Sequence, residues 1–399
     1  MSSTGYFQYN LRTAVHSGAG SIIRLPALFD GMNAKRVLLL SDQGLKQVGV
    51  VDKIIRVFDN MQSGNNPVLA GVYDEISPDA GFTSVNAALA YAREIAADAI
   101  LAVGGGSVMD AAKGVKYALH HKAQGIEDAL LGGIKLESWP KAQHSFIPHI
   151  AVPTTSGTGA EVSPAAVFYN EALGIKVNLA APFIEADMAV LDPQLALGLP
   201  AGLTASTGMD ALTHALEAVA SPVANNFTDS RSILAAQLIE KNLPEAVANG
   251  KNIDARQNMM EASTMAIDAF VMALNAIPVH NCAHAFGALY HIPHGDANAV
   301  LLPIIMEVLP EFYAPNAERL AQALNMQPTG NSGEALVLDV VAKLRQLQHQ
   351  IDCATDFSRW GAKAEDLAKI IEAIASDPAA MFYPIPVDRI EQIALKAVG

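Results

Sequence analysis

The sequence predicts an α/β unit with a parallel sheet over residues 1–195, followed by an all-helical unit over residues 196–399. Three observations predict it. Short apolar runs, Arg36-Val37-Leu38-Leu39-Leu40-Ser41-Asp42, Ala99-Ile100-Leu101-Ala102-Val103 and His149-Ile150-Ala151-Val152-Pro153, read as strands buried on both faces, which is the mark of a parallel sheet under helices. A helical pattern at Asn86–Glu94 supplies the crossover that the first two runs need. After Val190-Leu191-Asp192-Pro193 such runs give way to long Ala/Leu/Met/Glu segments, broken at Pro222, Pro278, Pro293, Pro303 and Pro315. The boundary therefore falls between residues 192 and 200. The stretch Leu199–Gly208 leads into the first long helix, with a Ser or Thr to cap it.

At 399 residues the chain exceeds what one hydrophobic core supports, in keeping with two domains. A net charge of −14 and the lack of a dense Lys/Arg stripe exclude nucleic acid as an expected partner. The start, Met1–Gln8, has neither a basic nor an apolar leader segment, and no apolar run nears the roughly 18 residues of a membrane span. A soluble cytoplasmic protein with no membrane partner is expected. Cys282 and Cys353, in dissimilar surroundings, imply no disulfide framework and suit a reducing compartment.

Gly104-Gly105-Gly106-Ser107 closes one buried run and opens the helical pattern Val108–Lys113. Glycines let the backbone approach a pyrophosphate, and the helix N-terminus offers free N–H groups, although a tight strand-to-helix turn has the same appearance. Asp42, at the end of an earlier strand, could accept hydrogen bonds from an adenosine ribose, which favours NAD over NADP; it could equally cap a turn. The polar turn Pro153-Thr154-Thr155-Ser156-Gly157-Thr158-Gly159-Ala160-Glu161 also follows a buried strand, where a nucleotide crevice would lie.

In the second half, Asp210 and His214 are four apart, so a helix places them on one face, and His280 and His284 repeat the spacing. One such pair is commonly a solvated stripe or a hydrogen-bonded core histidine; two pairs among Ala, Leu, Met and Phe point to a metal. His294, between Pro293 and Gly295, sits in a rigid turn that could aim its ring back at the preceding helix, and His291 reads as a surface or supporting residue. Three imidazoles and one carboxylate suit Fe²⁺ or Zn²⁺ acting as a Lewis acid.

Taken together, Gly104–Ser107, Pro153–Glu161, the segment Gly208-Met209-Asp210-Ala211-Leu212-Thr213-His214-Ala215-Leu216-Glu217 and the histidine block from His280 to His294 resemble the iron-containing (group III) alcohol dehydrogenases, from about residue 10 to the C-terminus. The resemblance implies the dehydroquinate synthase-like or iron-dependent alcohol dehydrogenase fold: a dinucleotide-binding α/β domain, an all-helical metal domain, an active site in the cleft between them, and a homodimer or larger homo-oligomer. Carried over by position, it implies Asp210, His214, His280 and His294 as metal ligands and His284 as a proton-relay residue beside the nicotinamide. It also implies Asp42, Gly105, Gly106, Ser107, Asp110, Thr154, Thr155 and Ser163 as cofactor contacts, with Lys176 close by. The chain departs from the family at Leu274-Asn275-Ala276-Ile277-Pro278 and at Ser77-Pro78-Asp79-Ala80-Gly81-Phe82.

The expected reaction is hydride transfer between a small alcohol and NAD, giving an aldehyde or ketone. The alternative is a lyase resembling dehydroquinate synthase, which would need basic side chains for a substrate phosphate; the segments flanking His280 and His294 instead carry Ala285, Phe286, Leu289 and Tyr290.

Overall fold

In the computed structural model, which describes residues 6–60, 66–130, 134–137 and 143–399, the chain divides into two compact units. Met1–Gly5, part of the start read above for a leader, lie outside the described residues. Of the described residues, one unit comprises those of 11–155 and 159–198; the other comprises 199–399 together with 6–10 and 156–158.

The α/β unit carries strands β1 (Ala14–Ser17), β2 (Arg36–Leu40), β3 (Val68–Tyr73), β4 (Ala99–Gly104), β5 (Ile134–Leu136), β6 (His149–Pro153), β7 (Ala165–Asn170), β8 (Ile175–Ala180) and β9 (Met188–Leu191). The three apolar runs become β2, β4 and β6, adjacent strands of a six-stranded sheet in the order β1-β9-β6-β4-β2-β3, with every pairing parallel. Alternate residues serve opposite faces: Leu38, Leu40, Ile100, Ala102 and Ala151 pack into one core, and Val37, Leu39, Leu101, Val103, Ile150 and Val152 into another. Burial on both faces is why these runs read as continuous apolar sequence rather than as alternation. The helix Phe82–Glu94 forms the crossover expected between β2 and β4, with β3 inserted before it.

A second sheet of three strands, β5-β8-β7, was not visible in the sequence pattern. β7 and β8 form an antiparallel hairpin whose residues alternate in burial, so no uninterrupted apolar run marks them.

The second unit is helical. Its core is built on the helices Ala201–Ala220, Asn226–Ala248, Ile253–Met272, Pro278–Tyr290 and His294–Val308, with the later helices Gly333–Gln350, Leu367–Ser376 and Val387–Val398 contributing to the same core. The N-terminal segment joins this unit through Tyr9, whose hydroxyl donates to Asp268 and whose ring lies 4.7 Å beneath the Arg231 guanidinium. Ser263 Oγ donates to the Gly157 carbonyl at 3.1 Å, fixing residues 156–158 to the same unit.

Three local expectations are corrected. The first long helix has Pro200, not Ser or Thr, at its N-cap; Thr204 falls inside, where its hydroxyl donates to the Pro200 carbonyl at 3.0 Å. Pro303 does not break the chain but lies within His294–Val308. A proline removes the N–H that the carbonyl four residues back would accept, and Gln348 Nε2 supplies a replacement by donating to the Ala299 carbonyl at 2.6 Å. Pro293 and His294 form no turn: Pro293 is the N-cap and His294 the first residue of that helix. Among the described residues no single helix is long and apolar enough to cross a membrane.

Candidate functional site

In the helical unit, three side chains converge. Asp210 comes from the middle of Ala201–Ala220, His280 from the first turn of Pro278–Tyr290, and His294 opens the next helix. One ligand atom from each lies within 4.8 Å of the other two, and His294 Nε2 stands 3.6 Å from Asp210 Oδ1. Asp210 and His280 are buried, whereas His294 is partly open. His214, one turn beyond Asp210, is not part of that trio, but its ring stacks on His280 at 4.7 Å between centroids. Its Nδ1 is buried without a hydrogen-bond partner. Phe270 closes against both rings, at 4.9 Å from His214 and 4.8 Å from His280.

Two neighbours set the chemistry of the trio. Glu217, on the same face as Asp210 and His214, accepts from the Val279 backbone N–H at 2.7 Å, and its other oxygen lies 2.5 Å from His280 Nδ1. A proton on Nδ1 donated to this carboxylate leaves Nε2 with its lone pair, the form in which imidazole holds a metal. Asn298 supports that tautomer, because its Nδ2 donates to Asp210 Oδ1 at 2.7 Å and lies 3.4 Å from His280 Nε2 and 3.2 Å from His294 Nε2. Burial first, then the charges of His214, His294 and His284, hold His280 well below the ordinary imidazole range. Burial likewise lowers His214, against the pull of the Asp210 carboxylate and the Gly157 backbone. A polar amide nitrogen thus occupies the focus of one carboxylate and two imidazoles, and the donor set fits a divalent ion of the Fe²⁺ or Zn²⁺ kind.

His284 lies one turn beyond His280 and half exposed, its ring stacked 5.7 Å from His294 and edge-on to His280 at 6.2 Å. His291 is exposed and ends its helix in the left-handed region, with φ 54°, so it serves as a helix terminus away from the converging trio.

In the α/β unit, the strand order reverses direction between β2 and β4, since β3 lies on one side of β2 and β4 on the other. Ligands of open parallel sheets bind outside the carboxyl ends of the strands at such a point. Asp42 follows β2 there, and Gly104–Ser107 follows β4 into the helix Gly106–His120. Thr154 and Thr155 follow the next strand, with Thr154 N donating to the Gly104 carbonyl at 2.9 Å. A β-carbon placed on Gly105 would lie 3.5 Å from the Thr155 side chain, so these loops adjoin.

The remaining expected contacts separate into two groups. Ser107 Oγ accepts from Asp79 N at 3.0 Å, and Asp79 forms an ion pair with Lys176 at 3.1 Å, so Ser107 and Lys176 are linked through Asp79. Asp110 and Ser163 are engaged elsewhere: Asp110 accepts from Val167 N at 3.0 Å and from Lys113 Nζ at 3.2 Å, and Lys113 also reaches Ser163 Oγ at 3.1 Å. These bonds tie the helix Gly106–His120 to β7. Burial pushes the Asp110 carboxyl up, chiefly against the nearby Lys113. Asp42 caps a short helix by accepting from Leu45 N at 3.0 Å.

Sequence reasoning missed Glu217, Asn298 and Asp79. Glu217 continues the Asp210–His214 face at i+7 and Asn298 stands at i+4 from His294, so helical spacing could have found both. Asp79 could not be read, because its role rests on a backbone at φ 59°.

Comparison with known proteins gives a consistent result. Residues 12–193 match the iron-containing alcohol dehydrogenase family, and residues 204–398 match the C-terminal part of the Fe-containing alcohol dehydrogenase family. The chain is 35% identical over 359 residues to 1,3-propanediol dehydrogenase of Klebsiella pneumoniae, covering 88% of each. It is 33% identical over 344 residues to the 1-propanol dehydrogenase PduQ of Citrobacter freundii, covering 86% of this chain and 85% of that one. Among solved structures, a 1,3-propanediol oxidoreductase superposes with a TM-score of 0.87 at 32% identity, covering 98% of this chain and 100% of the other.

Proposed function

The chain belongs to the iron-containing alcohol dehydrogenase family, and we propose that this alcohol dehydrogenase uses NAD and a divalent metal to interconvert a small alcohol with its aldehyde or ketone. The observation that carries the metal assignment is the convergence of Asp210, His280 and His294 within 4.8 Å, with the unpartnered His214 Nδ1 beside them. These four residues would hold the ion, Fe²⁺ first and Zn²⁺ as an ion of like preference. A divalent ion there supplies Lewis acidity, lowering the pKa of a nearby hydroxyl, and NAD supplies the hydride acceptor.

The protein's own side chains do the rest. Glu217 and Asn298 fix the tautomer and direction of the imidazoles. Phe270 covers the His214 and His280 rings and keeps water from them. His284, half exposed and stacked on His294, is the group suited to take up and pass on the proton of the alcohol. In the α/β unit, Gly105 and Gly106 at the helix N-terminus are suited to the pyrophosphate, Thr154 and Thr155 to the adjoining loop, and Asp42 to a ribose hydroxyl, which favours NAD over NADP. Ser107 and Lys176 border that site through Asp79, while Asp110 and Ser163 support it by anchoring its helix.

The names of the relatives, one acting on 1,3-propanediol and one on 1-propanol, favour a short primary alcohol or diol and favour dehydrogenase over lyase chemistry. Both cysteines are free, which suits a reducing compartment such as the cytoplasm. The family resemblance makes a homodimer or larger homo-oligomer the expected solution state.

The test pairs metal analysis of anaerobically purified protein with NADH absorbance across a panel of primary alcohols and diols. His280→Ala should lose bound metal and turnover together, whereas His284→Ala should retain metal and turn over slowly. A His280→Ala protein with full metal content and activity would overturn the assignment.

A further inference from the structure

His284 has a partner that the alcohol dehydrogenase reading does not use. Asp377 lies 93 residues further along the chain, and its Oδ2 stands 3.3 Å from His284 Nδ1, with Oδ1 at 3.5 Å. The carboxylate is not a loose surface group: its side chain is 13% exposed, and Oδ1 accepts from the Ala379 N–H at 2.9 Å as the N-cap of the short helix Pro378–Met381. Backbone therefore fixes Oδ1, and the carboxylate turns both oxygens to the imidazole: Oδ2 is the nearer, and Oδ1 is the one placed to accept a hydrogen bond from Nδ1.

We propose that Asp377 is a positioning residue that holds His284 in the Nδ1–H tautomer and in one ring orientation, so that Nε2 carries the lone pair a general base needs. The inference rests on the reading of His284 as the proton-relay group. The contact adds little to stability, since one partly exposed hydrogen bond contributes about 1 kcal/mol. Its consequence is tautomeric: an imidazole in water favours the Nε2–H form, and a carboxylate that accepts from Nδ1 reverses that preference. His284 and His294 stack with their planes 21° apart, so fixing the His284 ring also fixes the wall that it presents beside His294.

Asp377→Asn is the sharpest variant. With Oδ1 kept on the Ala379 N–H, the new amide NH₂ takes the place of Oδ2, the atom nearest His284 Nδ1, so a donor and no negative charge faces that nitrogen, which favours the proton on Nε2 while the helix cap survives. Asp377→Ala removes both contacts. Nitrogen-15 spectra of histidine-labelled protein loaded with Zn²⁺, with His284 assigned by loss of its signals in His284→Gln, read the tautomer directly. Wild type should show a protonated Nδ1 and an unprotonated Nε2 at His284, and Asp377→Asn should exchange the two. In kinetics, Asp377→Asn should lower kcat by about tenfold, with metal content and alcohol KM unchanged. The same change made in His284→Gln should lower kcat no further.

An unchanged His284 tautomer in Asp377→Asn, or a tenfold loss that persists in the His284→Gln background, would overturn the proposal. If His284→Gln alone kept the wild-type kcat, the relay role of His284 would fall, and the spectra would still decide whether Asp377 sets its tautomer.

Discussion

The helical unit concentrates its chemistry in side chains, whereas the α/β unit concentrates it in backbone. Asp210, His280 and His294 approach one another because helical spacing and helix packing place charged and basic groups on facing surfaces, and Glu217 and Asn298 hold them there. At the carboxyl ends of β2 and β4 the useful groups are instead glycine N–H groups and small hydroxyls, while the charged residues nearby, Asp110 and Lys113, are engaged in anchoring β7. A substitution in the first site removes a chemical group. In the second it changes how closely a ligand can approach.

The largest effect expected from this contrast is at Glu217. Glu217→Ala strands two buried donors, Val279 N and His280 Nδ1, each costing about 1–3 kcal/mol when unsatisfied, so the helical unit should lose roughly 2–6 kcal/mol. Metal affinity should fall about 10- to 100-fold, because His280 is no longer oriented. Denaturant unfolding and metal titration read the two losses separately. Full metal affinity in a destabilised variant would show that Glu217 serves packing alone.

The same contrast explains what could be read from the sequence. Asp210, His214, His280 and His284 announce themselves because residue type and i, i+4 spacing suffice to place them on one helix face, and the apolar runs of β2, β4 and β6 announce the sheet because both its faces are buried. The β7–β8 hairpin, half exposed, carries no such run. That Asp210, His280 and His294 stand closer to one another than to His214 is not in the spacing either, since spacing says which residues share a face and not which atoms meet across three helices. Nor does sequence spacing tell that Ser163 meets Lys113, a contact made across 50 residues, although Asp110 stands one helical turn from that lysine. Asp377 remained hidden for the same reason, 93 residues from the histidine that it meets.

Two adjacent glycines test the backbone half of the comparison. A β-carbon on Gly104 would lie 2.6 Å from the Val108 side chain, while one on Gly105 meets only Thr155, at 3.5 Å. Gly104→Ala should therefore overpack the strand-to-helix turn and cost about 1–3 kcal/mol of stability. Gly105→Ala should leave stability within about 0.5 kcal/mol of wild type, yet raise the KM for NAD because its methyl intrudes where the pyrophosphate must approach. Thermal unfolding and NADH binding distinguish them; unaltered NAD affinity in Gly105→Ala would remove that glycine from the site.

The smallest effect expected concerns an imidazole that the helical site would not leave in this state. His149 opens β6 fully buried, and neither ring nitrogen has a hydrogen-bond partner, whereas His280 has Glu217. Burial first, then the charges of Lys116 and Lys113, keep His149 well below its ordinary value of 6.5. The folded protein therefore holds it neutral, while the unfolded chain takes up a proton below pH 6.5. Its contribution to stability is fully present above that pH and is lost as the pH falls toward the folded value, at a limiting slope of about 1.4 kcal/mol per pH unit. His149→Leu, apolar and of similar size, should remove this slope, and hydrogen exchange at the β4 and β6 amides would localise the difference to the α/β unit. Equal acid slopes in the variant and wild type would mean that His149 gains a partner on protonation, and that the α/β unit tolerates a buried charge as readily as the helical unit does.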